Sequence, residues 1–433
     1  METNGITNKT DRSSGSADED KRASLQRLSR RAFLGTGAVV GTGVALTAPL
    51  LRNTSSEART VILASHNGPY DAHSADAHRM GTVGTIGEDR QPVRPMHFLG
   101  AFNETEFPEL LPSDFHVESK LPDGGTLHEY LFIASDKEIE IAPGVYFPAW
   151  TYNGQVPGPT LRATRGDRIR IWFINEGSHP HTIHFHGWHP FEQDGSMLHQ
   201  FVYPSTGEAL EHPFGPGADP TPWLAMDPIK RRRRGLDIYE FEADPVGLHL
   251  YHCHSLPLKR HVHKGLYGAF IIDPDPKRYS GGEQEIARTR NHEYDECQEI
   301  NEMIMVMNGF DTNFDGENEV YAANTVAFAY MNEQIQIRSE QRQRLYLVNI
   351  TEFDPLNSFH LHANFFNYFD HGTTLHPTLK TIDTVMQCQG QRGILEFDFK
   401  GFESGSYMFH AHQSEFAELG WMGFFDVRND ESA

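Results

Sequence analysis

Short apolar runs separated by turn residues dominate the hydrophobic pattern of this 433-residue chain. Two stretches each show a strand, a turn and a second strand: LDIYEFEADPVGLHLYHCH and FDFKGFESGSYMFHAHQ. Met303, Met305 and Met307 alternate with other residues, which predicts one buried face of a strand, with a soft Cu(I) site as the alternative. Long helical periodicity is missing from the body of the sequence. The pattern therefore predicts an all-β fold built from β-sandwiches.

Composition agrees with this prediction and narrows the function. The 38 Gly and 25 Pro supply the many turns that short strands require. A formal net charge of −22 argues against nucleic acid and anionic lipid as partners. About 370 residues remain once a leader is set aside, enough for two domains with cores of their own.

The N-terminus carries the pattern of an export signal. Ser29, Arg30 and Arg31 precede a Gly- and Ala-rich apolar run, which predicts twin-arginine export of a folded protein. We expect a signal and leader over 1–60, a linker over 61–95, and a periplasmic, extracellular or cell-surface location. A signal-anchor that stays in the membrane is the alternative.

Histidines are paired far more often than a random sequence would place them. Six His-x-His pairs occur among 25 histidines. Four of them lie two and two along the chain: His184/His186, His252/His254, His360/His362 and His410/His412. On a strand, each pair presents two imidazoles on one face. Eight neutral imidazoles suit copper, iron or zinc.

Cys253 lies between His252 and His254, so on a strand its side chain faces opposite to both imidazoles. A thiolate with two imidazoles and a weak or absent axial ligand is the blue-copper electron-transfer geometry. The two imidazoles are predicted to be His181 and His261, with His179 and His263 as competitors nearby. Leu266 occupies the axial place and cannot ligate, which predicts a trigonal site.

These motifs resemble the two-domain multicopper oxidases of the laccase type. The resemblance covers roughly residues 96–428 and rests on four segments: HTIHFHGWHP, HCHSLPLKRHVHKGL, NSFHLHANFF and MFHAHQ. It implies two cupredoxin-like Greek-key β-sandwich domains. It also implies four coppers per chain: one type 1, one type 2 and a type 3 pair. The type 2 ligands implied are His184 and His360. The type 3 ligands implied are His186, His252, His254, His362, His410 and His412.

An internal repeat accompanies the resemblance. HTIHFH aligns with NSFHLH, and YHCH aligns with FHAH. Asn357 stands where His181 stands, and Ala411 stands where Cys253 stands, so the second half lacks two ligands of the blue site. We therefore expect a first cupredoxin domain over 96–275 with the type 1 copper, a linker over 276–295, and a second domain over 296–433.

The implied activity is one-electron oxidation of a small reducing substrate, phenolic or a low-valent metal ion, coupled to four-electron reduction of O2 to water. Cys253 with His252 and His254 would form the electron path to the trinuclear cluster. Asp194 resembles the acidic residue of the family near the type 2 copper, with proton delivery as its implied role.

The resemblance also implies a homotrimer with the trinuclear cluster at each subunit interface. Copper nitrite reductase is the alternative function, although that family has an Asp where this chain has His184. A copper-binding electron-transfer protein is a further alternative. Two smaller questions stay open at this point. Cys297 and Cys388 are free to pair, and the run Arg231–Arg234 is either a solvated face or a contact with an acidic partner.

Overall fold

The alternation of apolar and polar residues becomes alternation of burial in the computed structural model, which describes residues 115–205, 214, 219–290 and 300–429. Ile335–Arg338, for example, runs buried, exposed, buried, exposed. Met422–Arg428 buries every second side chain in the same way. Each such strand has one face toward a core and one toward solvent.

Among the residues that the structure describes, nine strands form the first sandwich. One sheet has the order β1-β2-β5-β7, with β3 pairing β2, and the other has the order β4-β9-β8-β6. The strands are β1 (His116–Lys120), β2 (Thr126–Ala142), β3 (Val145–Tyr152), β4 (Leu161–Thr164), β5 (Arg168–Asn175), β6 (His184–Phe185), β7 (Leu236–Glu242), β8 (Gly247–His252) and β9 (Tyr267–Asp273). Large aromatic side chains such as Phe132, Phe173 and Tyr251 fill the space between the two sheets.

Eleven strands of the described ranges form the second sandwich. Its sheets have the orders β11-β10-β13-β18-β15-β16 and β12-β20-β19-β14-β17. The strands are β10 (Ile300–Phe310), β11 (Val320–Ala323), β12 (Ile335–Arg338), β13 (Arg342–Asn349), β14 (Leu356–Leu361), β15 (Phe366–Asp370), β16 (Leu379–Ile382), β17 (Thr384–Cys388), β18 (Arg392–Phe397), β19 (Gly405–His410) and β20 (Met422–Arg428).

The helices of the described residues are short and lie in the connections. They are α1 (Thr221–Leu224), α2 (Pro228–Arg233), α3 (Leu258–His263), α4 (Gly282–Arg290), α5 (Ala329–Asn332) and α6 (Ser414–Glu418), with 3₁₀ turns at Phe191–Gln193, Leu198–Gln200 and Pro276–Arg278. Helix α4 falls within the segment expected to be a linker. In the part of the chain that the structure describes, no helix is long and apolar enough to cross a membrane.

The expected fold class is confirmed: the protein is all-β, with two sandwich domains of the cupredoxin kind. No strand of one sandwich pairs with a strand of the other among the described residues. The exact domain boundaries stay a prediction. The expected signal and leader (1–60), the linker (61–95) and Cys297 lie outside the described residues.

Strand β10 contacts both sandwiches, and both of its faces are buried. Its methionines, Met303, Met305 and Met307, belong to the core of the second sandwich, as the alternation predicted. The polar residues on either side of them, which alternate with the methionines, contact the first sandwich: Glu302 contacts Arg162, and Asn308 donates from Nδ2 to the Tyr267 hydroxyl over 2.7 Å. The two-residue period therefore places an apolar core on one side of β10 and a polar interface on the other.

A buried ion network holds this interface together. Arg162 of β4 contacts Asp273 Oδ2 at 2.6 Å and Glu302 Oε2 at 2.7 Å. The Glu302 carboxylate also accepts hydrogen bonds from Arg344 Nη1 at 3.1 Å and from the Tyr346 hydroxyl at 2.7 Å. Glu302 is only 2% exposed. Opposite charges and directed hydrogen bonds compensate here for removing several ions from water.

Two of the four arginines in the run Arg231–Arg234 are buried. The interpretation of the whole run as a solvated face is therefore wrong. Arg231 and Arg232 are buried and both contact Asp237, at 2.9 Å and 2.6 Å. Arg232 also donates to the carbonyl oxygens of Glu192 and His199. The remaining two arginines of the run are exposed. The buried pair therefore fastens the loop that follows the first histidine motif.

We expect Glu302→Gln to lower the free energy of unfolding by about 1–3 kcal/mol, because the substitution weakens the buried hydrogen bonds from Arg162, Arg344 and the Tyr346 hydroxyl. Asp273 and Glu396 still supply counter-charges to the two guanidinium groups. Urea denaturation of the copper-loaded protein measures the effect. Arg428→Gln is the control, since Arg428 pairs with Asp426 at the surface, where solvent screens the interaction. Equal and small changes for both variants would contradict the role given to the network.

Candidate metal centres

A cysteine and two histidines converge inside the first sandwich. Cys253 follows the last residue of β8, His261 lies on α3, and His181 forms an isolated bridge with Val202. The Cys253 sulfur lies 3.2 Å from His261 Nδ1 and 3.9 Å from His181 Nδ1, and the two nitrogens are 3.2 Å apart. All three side chains are buried. The structure thus brings together the three residues proposed for the thiolate site.

The electrostatics of this group suit a metal ion. Burial lowers the pKa of His181 to about 3 and that of His261 to about 4, so both imidazoles are neutral and keep a lone pair at neutral pH. Burial raises the pKa of the Cys253 thiol, so an uncompensated thiolate is unfavourable there. Three donors around one ion lie roughly 3.3–3.8 Å apart, close to the distances observed. The set fits copper, which binds the anion and both lone pairs.

Several neighbours support the sulfur and its imidazoles. The Thr182 amide donates to the Cys253 sulfur over 3.4 Å, and the Thr182 hydroxyl accepts from the His254 amide over 3.0 Å. Trp150 packs on both imidazoles, with ring centroids 5.2 Å from His181 and 4.7 Å from His261. Leu266 is fully buried in the same apolar cluster as the cysteine. Its place on the axial side of a copper stays a prediction.

Four imidazoles form a second group at the mouth of the first sandwich. His184 and His252 are paired across β6 and β8. The His184 ring centroid lies 5.2–5.3 Å from those of its three companions. His184 Nδ1 donates to the Asp194 carbonyl at 2.8 Å, and His252 Nδ1 donates to the Cys253 carbonyl at 3.0 Å. The Nε2 atoms are therefore free for a metal, and those of His186 and His252 face each other at 3.2 Å. We name the four the N-terminal histidine set: His184, His186, His252 and His254.

The second sandwich repeats this arrangement. His360 and His410 are paired across β14 and β19. His360 Nδ1 lies 3.0 Å from the Asp383 carbonyl, and His410 Nδ1 donates to the Ala411 carbonyl at 2.6 Å. The Nε2 atoms of His362 and His410 face each other at 2.9 Å. The members of this C-terminal histidine set are His360, His362, His410 and His412. The sequence repeat is therefore also a repeat of hydrogen bonding and donor orientation.

The two sets stay apart within one chain. Among the described residues, the ring contacts of each set involve only histidines of its own domain. His362 and His412 are exposed. Arg392 of the second sandwich extends to the N-terminal set, with Nη1 3.4 Å from His186 Nδ1. Each set is thus a separate half of donors in the single chain.

Asp194 lies beside the N-terminal set as an orienting group. One carboxylate oxygen is 2.8 Å from His189 Nε2 and 3.2 Å from His184 Nδ1. The other accepts from the Ser196 hydroxyl. Burial opposes ionisation of Asp194, but the hydrogen bonds from Ser196 and His189 outweigh it and lower the pKa. The carboxylate is therefore ionised and helps to orient His184 and His189, and its role in proton delivery stays a prediction.

Comparison with known proteins places the chain in a family. Two sequence profiles described as multicopper oxidase match residues 134–215 and 301–431. A crystal structure titled multicopper oxidase is 42% identical and superposes with a TM-score of 0.59, over 74% of this chain and 96% of that one. The chain belongs to the multicopper oxidase family.

The curated relatives are more distant, and each match covers only part of both proteins. A copper-containing nitrite reductase of Neisseria meningitidis is 27% identical over 32% of this chain and 28% of its own length. Laccase 1 of Metarhizium acridum is 32% identical over 29% of this chain and 16% of its own length. The chain thus spans less than a third of these relatives. Proteins named nitrite reductase and proteins named laccase therefore both resemble this chain.

The structure separates the thiolate-site residues from their sequence neighbours. His179 bonds Ser178 and stacks on Trp150, and His263 accepts from the Asp311 amide at 2.9 Å. Trp150 and Arg392 escaped the sequence analysis because no motif surrounds either of them. Thr182 directly follows His181 in the HTIHFH motif, so the sequence could have indicated it as a neighbour of the site. Cys388 is exposed and forms no disulfide among the described residues.

We expect Cys253→Ser to remove the intense visible absorption of the copper-loaded protein, because the variant lacks the thiolate that gives a copper–sulfur transition. Absorption spectra and copper counts on the same samples measure this. Cys388→Ser is the matched control, since Cys388 is exposed and outside both histidine sets. An unchanged visible spectrum in Cys253→Ser would contradict the site.

Proposed function

We propose that this multicopper oxidase family protein couples one-electron oxidation of a small reducing substrate, phenolic or a low-valent metal ion, to reduction of O2 to water. Bound copper supplies the one-electron steps and the binding of O2. His181, Cys253 and His261 would hold a type 1 copper. The two histidine sets would hold one type 2 copper and a type 3 pair, four coppers per chain in all. The observation that carries the proposal is the complete duplication of the imidazole set.

The chain itself contributes orientation and a covalent connection. Backbone carbonyls fix the tautomers of His184 and His252, which leaves their Nε2 atoms available before any metal binds. The side chain and backbone of Cys253 form a short covalent path from its sulfur to the neighbouring residues His252 and His254. Trp150 keeps water away from the two imidazoles of the thiolate site. Rigid placement of this kind keeps reorganisation small.

The pocket beside Trp150 is the proposed binding site for the reducing substrate, which is the electron donor. Its volume is about 330 Å³, and the groups that line it include Trp150, His179 and Arg260. Arg260 lies over the Trp150 ring, 5.2 Å from the centroid. Because Trp150 contacts both His181 and His261, a donor in this pocket would lie one ring away from the thiolate site.

Nitrite reduction is the second candidate, favoured by the similarity to the Neisseria nitrite reductase. Against it stands His184 at the position where that family has an Asp. The C-terminal set also offers four imidazoles, where a nitrite reductase needs only one. Oxygen is therefore the preferred acceptor.

We further propose that the three-metal centre forms between chains, in a homotrimer. The separation of the two sets within one chain supports this, as does the exposure of His362 and His412. Large apolar side chains close to the histidines in sequence are also exposed: Trp188, Phe191, Leu256 and Phe365. An exposed apolar rim around polar donors is typical of a surface that a partner covers. A second copy supplies the complementary set.

Oxygen uptake and nitrite loss are expected to separate the candidates. With a phenolic or ferrous donor, the copper-loaded protein should consume O2, and under argon it should leave nitrite untouched. An oxygen electrode and a colorimetric nitrite assay measure the two rates. Faster nitrite loss than O2 uptake would favour a nitrite reductase, and neither activity would favour an electron-transfer protein.

Mixing two inactive variants tests the shared centre. His184→Ala/His186→Ala removes donors from the N-terminal set, and His360→Ala/His362→Ala removes donors from the C-terminal set. In trimers assembled from an equal mixture, roughly a quarter of the interfaces regain both intact sets. Oxidase activity should therefore return in the mixture while each variant alone stays inactive. Activity that never returns, from mixtures in which an affinity-tagged variant co-purifies with the untagged one as trimers, would place each centre within one chain.

A further inference from the structure

The first two strands place a group of side chains that belongs to none of the copper sets. Strands β1 and β2 are antiparallel, with His116 opposite Tyr130 and Glu118 opposite His128. Because residues i and i+2 share a face of a strand, all four side chains lie on one face of the pair. The three rings are nearly parallel, within 10° of one another.

Three donor atoms of this group meet at one point. His116 Nε2 lies 3.2 Å from His128 Nδ1. The Glu118 carboxylate oxygen lies 3.4 Å from His128 Nδ1 and 3.8 Å from His116 Nε2. Two nitrogens and an oxygen around one first-row metal ion are separated by roughly 3.3–3.6 Å. The spacing therefore matches a shared ion.

Asp167 sets the tautomer of the buried histidine. His128 Nε2 lies 3.1 Å from Asp167 Oδ2. The Thr164 amide donates to the same carboxylate oxygen over 2.9 Å, which fixes its position. When His128 donates from Nε2 to this carboxylate, its Nδ1 is available to a metal ion. A carboxylate behind a histidine is the usual arrangement around metal-binding imidazoles.

The three donors differ in how far solvent reaches them. The His128 side chain is 9% exposed and that of His116 is 23% exposed, whereas that of Glu118 is 58% exposed. Two imidazoles held together in a partly buried place, beside a carboxylate open to water, form a donor set that a divalent transition-metal ion can bridge.

We propose that His116, Glu118 and His128 form a binding site for a divalent transition-metal ion of the zinc type, separate from the copper centres. Two imidazoles and one carboxylate favour such an ion over calcium or magnesium. The Tyr130 hydroxyl donates to the Arg162 carbonyl and is not a ligand. Water completes the coordination on the side of Glu118, which is more than half exposed. The ion cross-links the edge strand β1 to β2.

Zinc binding to the copper-loaded holoprotein tests the site. After loosely held metal is removed on a chelating resin, the wild type should take up one Zn²⁺ per chain by mass spectrometry. His116→Gln and Glu118→Gln should lower the zinc affinity at least about tenfold, and Asp167→Asn by about 10–100-fold through loss of the orienting hydrogen bond. Copper content and circular dichroism report whether each variant has folded.

A matched control is available on the second sandwich side of the chain. His376 lies 3.8 Å from Glu283, and both side chains are exposed, so His376→Gln should leave the zinc affinity unchanged. Anomalous diffraction at the zinc edge from wild-type crystals provides a readout that needs no variant, with a peak expected among the three donors. An unchanged affinity in His116→Gln, or zinc peaks elsewhere only, would overturn the proposal.

Discussion

The alternation of side chains at the end of β8 is the constraint on which the metal chemistry of this protein depends. An extended backbone sends Cys253 into the apolar core and its two neighbours, His252 and His254, out to the mouth of the sandwich. A helix or a turn at this point would put the three donors around one centre or scatter them. The strand instead keeps two kinds of site apart in environment and joined by a few covalent bonds. Burial raises the pKa of the Cys253 thiol on one side of the backbone, whereas the imidazoles of His252 and His254 on the other side are partly exposed.

The same two-residue period holds the sandwiches together. Strand β10 gives its methionines to one core and Glu302 to the interface, so a single strand serves two surfaces. A buried carboxylate with two guanidinium partners and a tyrosine tolerates little displacement, because every partner is fixed in direction. That rigidity matters for the histidine sets. Arg392 extends from β18 to both the Leu248 carbonyl and His186, so a shift between the sandwiches would move a candidate ligand.

Much of this was predictable from the sequence, and the limit lies at a clear physical boundary. Features set by local alternation were found: the strands, the paired imidazoles, the burial of Cys253, and the methionine face of β10. The sequence predicted His181 and His261 as partners of Cys253, but it left His179 and His263 as competitors because they have the same local pattern. Contacts between distant segments left no signal. Trp150 on its imidazoles, Arg392 beside His186 and the buried half of the arginine run each depend on how sheets pack, which one sequence does not encode locally.

Comparison of the two histidine sets shows what the edited repeat keeps and what it discards. In both, a backbone carbonyl one residue along the chain fixes the third histidine: Cys253 does so for His252, and Ala411 for His410. This bond uses the main chain, so it survives replacement of the cysteine by alanine. Under the proposed function, the missing thiolate would leave the second half without a site of electron entry, while its imidazole donors keep their orientation. The C-terminal domain can then contribute oriented imidazoles alone. His362 and His412 are exposed, which is consistent with donors that bind metal at a contact with another chain and not inside the core of their own domain.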